Sequence, residues 1–304
     1  MWSICSPARL KGSASALWST WSPSRLKEAL LAVRWGEKSL ASLYVSVLSG
    51  LVVAFQYDPA EPFYSASTMD ILVPFGAFWR SLHFFASQLF VLFSLAHFTA
   101  TLVERWPPAM AFGRWLRLVI SLPVIILLLF TGYVLRGDIT GDMAGRIAEN
   151  ITLAVPVAGN WLNQLFFSIA GEGLKRVYAN HLIGLGILWG ALSWEHVKRY
   201  KVGWARQGGL LLFLLAFCLF VSAPLDQEKL GVFHISGPWF FLGLQELLRH
   251  IPPVWAGVVY PATFVAALAL FGAARERVRR WALIYSLLWL GSYLLLSLVG
   301  YFRS

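Results

Sequence analysis

Seven stretches of this chain, about 37–56, 79–102, 115–135, 177–198, 207–223, 254–274 and 280–301, are apolar over a bilayer-spanning length. A helix needs roughly 20 such residues to cross the hydrocarbon layer. Within that layer each backbone N–H and C=O must find its partner inside the protein. The expected fold is therefore all-α, a polytopic bundle of seven transmembrane helices. Composition agrees: with 58% hydrophobic and 13% charged residues, 15 Trp and 22 Phe, the chain lacks the polar surface of a soluble globule.

The stretch 151–170 is also apolar, but Pro156, Asn160, Asn163 and Gln164 mark it as an interfacial helix within a long loop. Charge placement fits seven spans. Lys38, Arg105, Arg114 and Arg117, then Lys198, Arg199, Lys201 and Arg206, then Arg275, Arg277, Arg279 and Arg280 fall on one side, which the excess of Lys and Arg makes cytoplasmic. The loop 57–70, with Asp58, Glu61 and Asp70, falls on the other. The N-terminus is then cytoplasmic and the C-terminus on the outer side. The net charge of +10 sits in clusters at the ends of apolar runs, a pattern of topology and lipid contact and not of a nucleic-acid partner. Cys5 and Cys218 are isolated, with no CxxC or CxxCH, so neither a disulfide, a zinc site nor a covalently attached haem is expected.

The first 21 residues read as a loosely ordered tail without a secretory-signal core. From Ser22 and Pro23 to Trp35, Leu26, Leu30 and Val33 share a face among Arg25, Lys27 and Arg34, as in an amphipathic helix on the membrane surface. Three regions follow: 1–35, tail and surface helix; 36–203, a four-helix half; 204–304, a three-helix half.

Two histidine pairs carry the chemistry. His83 and His97 lie 14 residues apart in the second span, and His181 and His196 lie 15 apart in the fourth. An imidazole in a hydrocarbon-length segment is costly enough to point to function. At about 1.5 Å per residue each pair extends roughly 21 to 22 Å along its helix. At about 100° per residue the spacings end some 40° short of four turns and about 60° past them, so both members of a pair share a face. The second and fourth spans run in the same direction, so His83 faces His181 near the outer surface and His97 faces His196 near the cytoplasmic one. Opposed imidazoles suit the two axial positions of a haem iron.

With these residues in view, the chain resembles cytochrome b of the quinol:cytochrome c oxidoreductase family, including its chloroplast-type branch, from about residue 25 to the C-terminus. Arg80-Ser81-Leu82-His83 followed by His97 is similar to the family's second helix, and Thr131-Gly132-Tyr133-Val134-Leu135 to the end of its third. The 15-residue interval from His181 to His196 is that of the chloroplast branch. Gly36 and Gly50 stand where family glycines let a porphyrin edge approach the backbone, which a missing Cβ permits. In the third helix Gly132 is present, and Leu118 stands in place of its partner glycine.

The resemblance implies two non-covalent haem b groups, with iron ligated by His83 and His181 and by His97 and His196, and a quinone or quinol substrate. It also implies partners of the iron–sulfur protein and c-type cytochrome classes, and homodimerisation within a complex in a bacterial inner membrane. Arg80, one turn before His83, is expected to meet a haem propionate, since a guanidinium pairs bidentately with carboxylate. Arg114, Arg117, Lys198 and Arg199 are open to the inner propionates or a quinone headgroup, and topogenic charge explains them equally well. Arg34 occupies the position of the cysteine that attaches an extra haem in the chloroplast branch, so no third haem is expected. Trp189, Trp194, Trp239 and Trp255 read as interfacial belt and core packing.

One family feature is broken. Where the family has Pro-Glu-Trp-Tyr, whose glutamate takes a proton from quinol at the outer site, this chain has Gly237-Pro238-Trp239-Phe240. Pro238 cannot titrate, and a general base must be ionisable. His234, Glu228 and Asp226 before the motif, and Glu246 after it, are the candidate substitutes for the relay, each against the plainer reading of an ordinary loop or interfacial residue. His250 precedes Pro252-Pro253 at a solvated loop. The expected activity is electron transfer between the quinone pool and c-type, including multihaem, cytochromes. A proton-coupled transporter and a haem-free structural anchor are the alternatives. The absence of an internal repeat and the histidines' places near span ends argue against the first, and the four retained ligands against the second.

Overall fold

A computed structural model describes residues 23–228 and 235–303. Every regular element among them is helical. The order is α1 (Pro23–Ala32), α2 (Trp35–Ala54), α3 (Pro62–Leu72), α4 (Gly76–Glu104), α5 (Phe112–Val134), α6 (Ile139–Leu153), α7 (Gly159–Phe166) and α8 (Ile169–Glu172). Then α9 (Lys175–Ala179) runs through a π-turn (Asn180–Gly184) into α10 (Leu185–Val197), followed by α11 (Trp204–Phe220) and α12 (Leu242–Leu248). A second π-turn (Trp255–Val259) leads into α13 (Tyr260–Leu270), and α14 (Glu276–Arg303) ends the chain. The N-terminal tail, Cys5 and His234 lie outside the described residues.

Four helices, α2, α4, α5 and α14, are long and apolar enough to cross a membrane, and the helices Trp204–Phe220 and Trp255–Leu270 are shorter apolar ones. Large apolar side chains cover the outside: Leu48, Phe55, Ile187, Leu212, Leu288 and Leu295 are exposed. In α14 the buried positions are Ala282 and Ser286. Such a surface is stable only against lipid.

In lipid, helices associate by close packing and internal hydrogen bonds and not by apolar burial. The α2 face shows this, since its buried residues include Ser39, Ala41, Ser42, Ser46 and Ser49. With side chains this small, α2 lies close against α4, and Ser39 Oγ lies 2.8 Å from Ser94 Oγ across the contact. The main core gathers Phe90 of α4, Ile125, Leu129 and Phe130 of α5, and Phe167, Ile169 and Val177, with Leu43 and Trp189 packed against it.

The segments expected to be loops contain helices. Residues 57–70 hold most of α3, started by Pro62 in its first turn. The stretch 151–170, expected as one interfacial helix, is instead the end of α6, all of α7 and the start of α8. Pro156, which has no N–H, sits in the break. The start of α6 is set by Asp138, which is fully buried and accepts from the Gly141 amide at 2.9 Å and from Thr140 Oγ1 at 3.1 Å. Its other oxygen accepts from the Asp226 amide at 2.9 Å and pairs with the Arg136 guanidinium, which also reaches Asp226 at 3.0 Å. This cluster ties the loop after α11 to the end of α5.

A second ionic knot joins α12 to the end of α14. The buried Glu246 carboxylate takes a hydrogen bond from Arg303 Nη1 at 2.6 Å and lies 3.0 Å from His250 Nε2 and 3.6 Å from Arg249 Nε. His250, and after it Arg303 and Arg249, hold the carboxyl below its ordinary value of 4.5 against the opposing effect of burial. A carboxylate with a lowered pKa adds stability above its ordinary pKa and loses it as pH falls through the depressed value.

Two outcomes are expected. Asp138→Ala leaves Arg136 with one partly exposed partner and removes a helix cap, so a loss of about 3–5 kcal/mol is expected in denaturant unfolding. An unchanged midpoint would show that the cluster is incidental. Protection of the α12 amides from hydrogen exchange, taken relative to the intrinsic rate at each pH, should hold at neutral pH and fall as pH drops below 4.5, and Glu246→Gln should abolish that acid step.

Candidate functional site

The π-turn at 180–184 sets the phase of the site. One i→i+5 turn takes in one residue more than an α-turn. The 15-residue interval from His181 to His196 is thereby brought to the helical phase of the 14-residue interval from His83 to His97. Both histidines of α9–α10 then face both histidines of α4. His83 and His181 have ring centroids 6.1 Å apart, and His97 and His196 have theirs 5.9 Å apart.

That separation can be compared with what a metal between the rings requires. An imidazole nitrogen binds a transition metal at about 2.0–2.1 Å and lies about 1.1 Å from its own ring centre, so opposed axial imidazoles have centroids about 6 Å apart. Both pairs have this spacing. Hydrogen bonds orient the His83–His181 pair. His83 Nδ1 lies 2.8 Å from the Ser46 carbonyl, which can only accept, so Nδ1 carries the proton and Nε2 keeps its lone pair. Thr131 Oγ1 donates its proton to the Leu127 carbonyl at 2.9 Å, and it therefore accepts from His181 Nδ1 at 3.0 Å. Nε2 is again left free. At the other pair, His97 rests on Gly36, and His196 packs against the Tyr200 ring at 5.2 Å.

Three glycines stand against the histidine rings. A Cβ on Gly50 would stand 2.8 Å from His83 Cε1, one on Gly132 3.0 Å from His181 Cε1, and one on Gly36 3.1 Å from His97 Cε1. The bare backbone at these positions admits the imidazole ring. Leu118, in place of a fourth glycine, lines the cavity beside His196.

Arg80 is tied to two distant segments. Its guanidinium is buried and bidentate on Asp70, with Nε to Oδ1 at 2.7 Å and Nη2 to Oδ2 at 2.5 Å, and it donates to the Ala223 and Pro224 carbonyls at 2.7 and 3.3 Å. Through these bonds Arg80 braces the segment after α11. At the opposite end, a cavity of about 690 Å³ opens around His97 and His196. Arg34, Arg105, Arg114, Arg117, Arg199 and Arg206 line it together with Glu37 and Glu195, a cationic rim suited to an anionic group.

The segment carrying Gly237-Pro238-Trp239-Phe240 is held on all sides. Gln245 accepts from the Gly237 amide at 2.7 Å and donates to the Ile235 carbonyl at 2.8 Å. Trp239 Nε1 donates to Gln88 Oε1 at 2.9 Å, and the Tyr293 hydroxyl donates to the Phe240 carbonyl at 2.6 Å. Of the relay candidates, Glu228 neighbours Tyr64, whose hydroxyl it raises above the ordinary range first by its charge and then by its hydrogen bond. Asp226 belongs to the Arg136 cluster. Glu246, with its proton affinity lowered by the His250 hydrogen bond and by Arg303 and Arg249, is a weak proton acceptor. Sequence reasoning missed Ser46, Thr131 and the π-turn as orienting elements. The odd spacing of the second histidine pair was the available signal for the last.

A helical bundle carrying two stacked pairs of facing imidazoles, one of them opening on a cavity, has the architecture of a membrane cytochrome. The family profile described as Cytochrome b/b6/petB matches residues 23–198, more than half of the chain, and the chain belongs to this family. Cytochrome b of Rhodospirillum rubrum is 25% identical over 279 residues, covering 78% of this chain and 68% of that protein. Cytochrome b of Bugula neritina is 24% identical over 317 residues, covering 86% and 85%. Cytochrome b6 of Gracilaria tenuistipitata var. liui is 28% identical over 152 residues, covering 48% of this chain and 71% of its own. A solved chain described as Hyperthermophilic respiratory Complex III shares the fold, with TM-score 0.61 at 18% identity over 88% of this chain and 82% of that one. The protein is thus an integral membrane, haem-binding cytochrome b of a quinol oxidoreductase, acting in electron transport.

The ring-to-backbone fit makes a sharp prediction. Gly50→Val forces atoms into the space of His83, so haem per chain should fall relative to wild type, while Gly113→Val, at a glycine with open space around it, should leave it unchanged. Equal haem in both variants would sink the role given to Gly50.

Proposed function

We propose that this chain is a di-haem electron carrier across the membrane. His83 and His181 would ligate the outer haem iron, and His97 and His196 the inner one. The observation that carries the reading is the stacking of two opposed imidazole pairs at 6.1 and 5.9 Å, the spacing of axial ligands on one iron. Seven spans in two regions accompany it, 36–203 for the haems and 204–304 as the three-helix half, with 1–35 as tail and surface helix. The N-terminus is cytoplasmic, the C-terminus is on the outer side, and the membrane is a bacterial inner membrane.

The haems supply one-electron redox chemistry when bound. The chain's own residues do the rest. Ser46 and Thr131 fix the tautomer and direction of the outer imidazoles. Gly36, Gly50 and Gly132 let three rings lie against the backbone and hold the helices at ligating distance. The arginine-lined inner cavity binds the acidic groups of the inner haem and a quinone headgroup. At the outer end, Gly237-Pro238-Trp239-Phe240 shapes a quinol site without an ionisable side chain in the motif, so a proton leaves through another group than the family's glutamate. With haem held by His83 and His181, the outer site would exchange electrons with the quinone pool, and the partners would be of the c-type cytochrome class, including multihaem ones, or an iron–sulfur protein. The complex as a whole contains other subunits and, as in the family, two copies of this chain.

The test is a reduced-minus-oxidised optical spectrum with haem counted per chain, for wild type, His83→Ala and His196→Ala. Two b haems in wild type and one in each variant are expected. Folded wild-type protein without haem would refute the proposal and restore the transporter or the structural anchor.

A further inference from the structure

The two imidazole pairs are separated by a layer with its own regularity. Leu43 lies seven residues from both Gly36 and Gly50, Phe90 seven from both His83 and His97, and Ile125 seven from both Leu118 and Gly132. Trp189 lies eight after His181 and seven before His196, and the π-turn absorbs the extra residue. These four side chains, one from each helix around the pairs, belong to one packed cluster. Phe90 and Trp189 meet edge to face at 5.4 Å. Phe90, Ile125 and Trp189 also form the floor of the inner cavity, beneath His97 and His196.

Within this layer one side-chain atom can donate a hydrogen bond. Trp189 Nε1 is buried and has no partner. An indole N–H left unpaired in an apolar interior is unfavourable, and Phe or Leu would fill the same space without that cost. Its presence points to a partner supplied by whatever occupies the cavity it lines. An aromatic π system accepts such a donor.

We propose that Trp189 tunes the inner haem, its indole N–H facing the inner group and its ring, with Phe90, separating the two sites. This rests on the di-haem reading above. The positive end of an N–H dipole stabilises whichever redox form carries the added electron, and hydrogen bonding around the cofactor is one of the protein's means of setting its potential. The inner haem is therefore held at a higher potential than it would have without Trp189, which favours electron flow inward across the layer.

The experiment is a spectroscopic redox titration of the full-length haem-loaded protein, with haem per chain measured alongside. Trp189→Phe keeps a ring and removes the donor. It should retain two haems and lower the inner midpoint by up to roughly tenfold in the reduction equilibrium, about 59 mV for a one-electron couple, with the outer midpoint moving less. Trp189→Leu, also without a donor, should shift the inner midpoint in the same direction and provides the same readout should the Phe variant fail to assemble. Phe90→Leu removes a ring from the same layer without touching a donor and should leave the inner midpoint in place. An inner midpoint unchanged in both Trp189 variants overturns the proposal, as does one that moves equally in Phe90→Leu. Wild-type protein lacking two haems would refute the di-haem reading itself, and this inference with it.

Discussion

The structure depends on imidazole rings pressed against backbone that carries no side chain. Gly50, Gly132 and Gly36 each stand so close to a histidine that a single added carbon would need room the ring already takes. This contact fixes how near α2 comes to α4 and α5 to the α9–α10 helix, and so how far apart the opposed rings lie. The serine-rich face of α2 follows the same logic, because in lipid helices adhere through close fit and internal hydrogen bonds. Ser46 serves both purposes, as a small buried residue and, through its carbonyl, as the group that orients His83.

The two ends of the bundle are built differently. The end that holds His97 and His196 is an open cavity ringed by arginines around rings that rest on Gly36 and Tyr200. The end that holds His83 and His181 is closed by polar bonds between segments distant in sequence. Arg80 joins Asp70 to the Ala223 and Pro224 carbonyls, Asp138 joins Arg136 to the Asp226 amide, and Gln245 clamps the chain around Gly237. These bonds hold the altered motif segment in place, although its family carboxylate is absent. Asp226 is engaged in the Arg136 cluster, Glu246 in its own knot with Arg303, and Glu228 with Tyr64.

Much of this was legible in the chain. Apolar length announced the long helices, and the spacing of four histidines announced two sites, because helical phase follows from residue count alone. The helices α3 and α6 were not legible as such, while α7 falls within the stretch read as interfacial helix. The start of α3 is marked by Pro62, and that of α6 by Asp138. The contacts of Arg80 were not legible either, because they come from Asp70 and from a loop more than 140 residues away.

By itself, then, the sequence determined that this is a membrane helical bundle with two levels of paired histidines and a motif stripped of its acid. Those features rest on composition and on helical periodicity, both of which are local. The tertiary structure alone decided that an odd spacing would be absorbed by a π-turn, that the glycines would accommodate imidazoles, and that Leu43, Phe90, Ile125 and Trp189 would close into one layer between the sites. Each of these needs side chains from several helices at one depth in the membrane. The packing of those helices, and no rule that acts along a single chain segment, sets that depth.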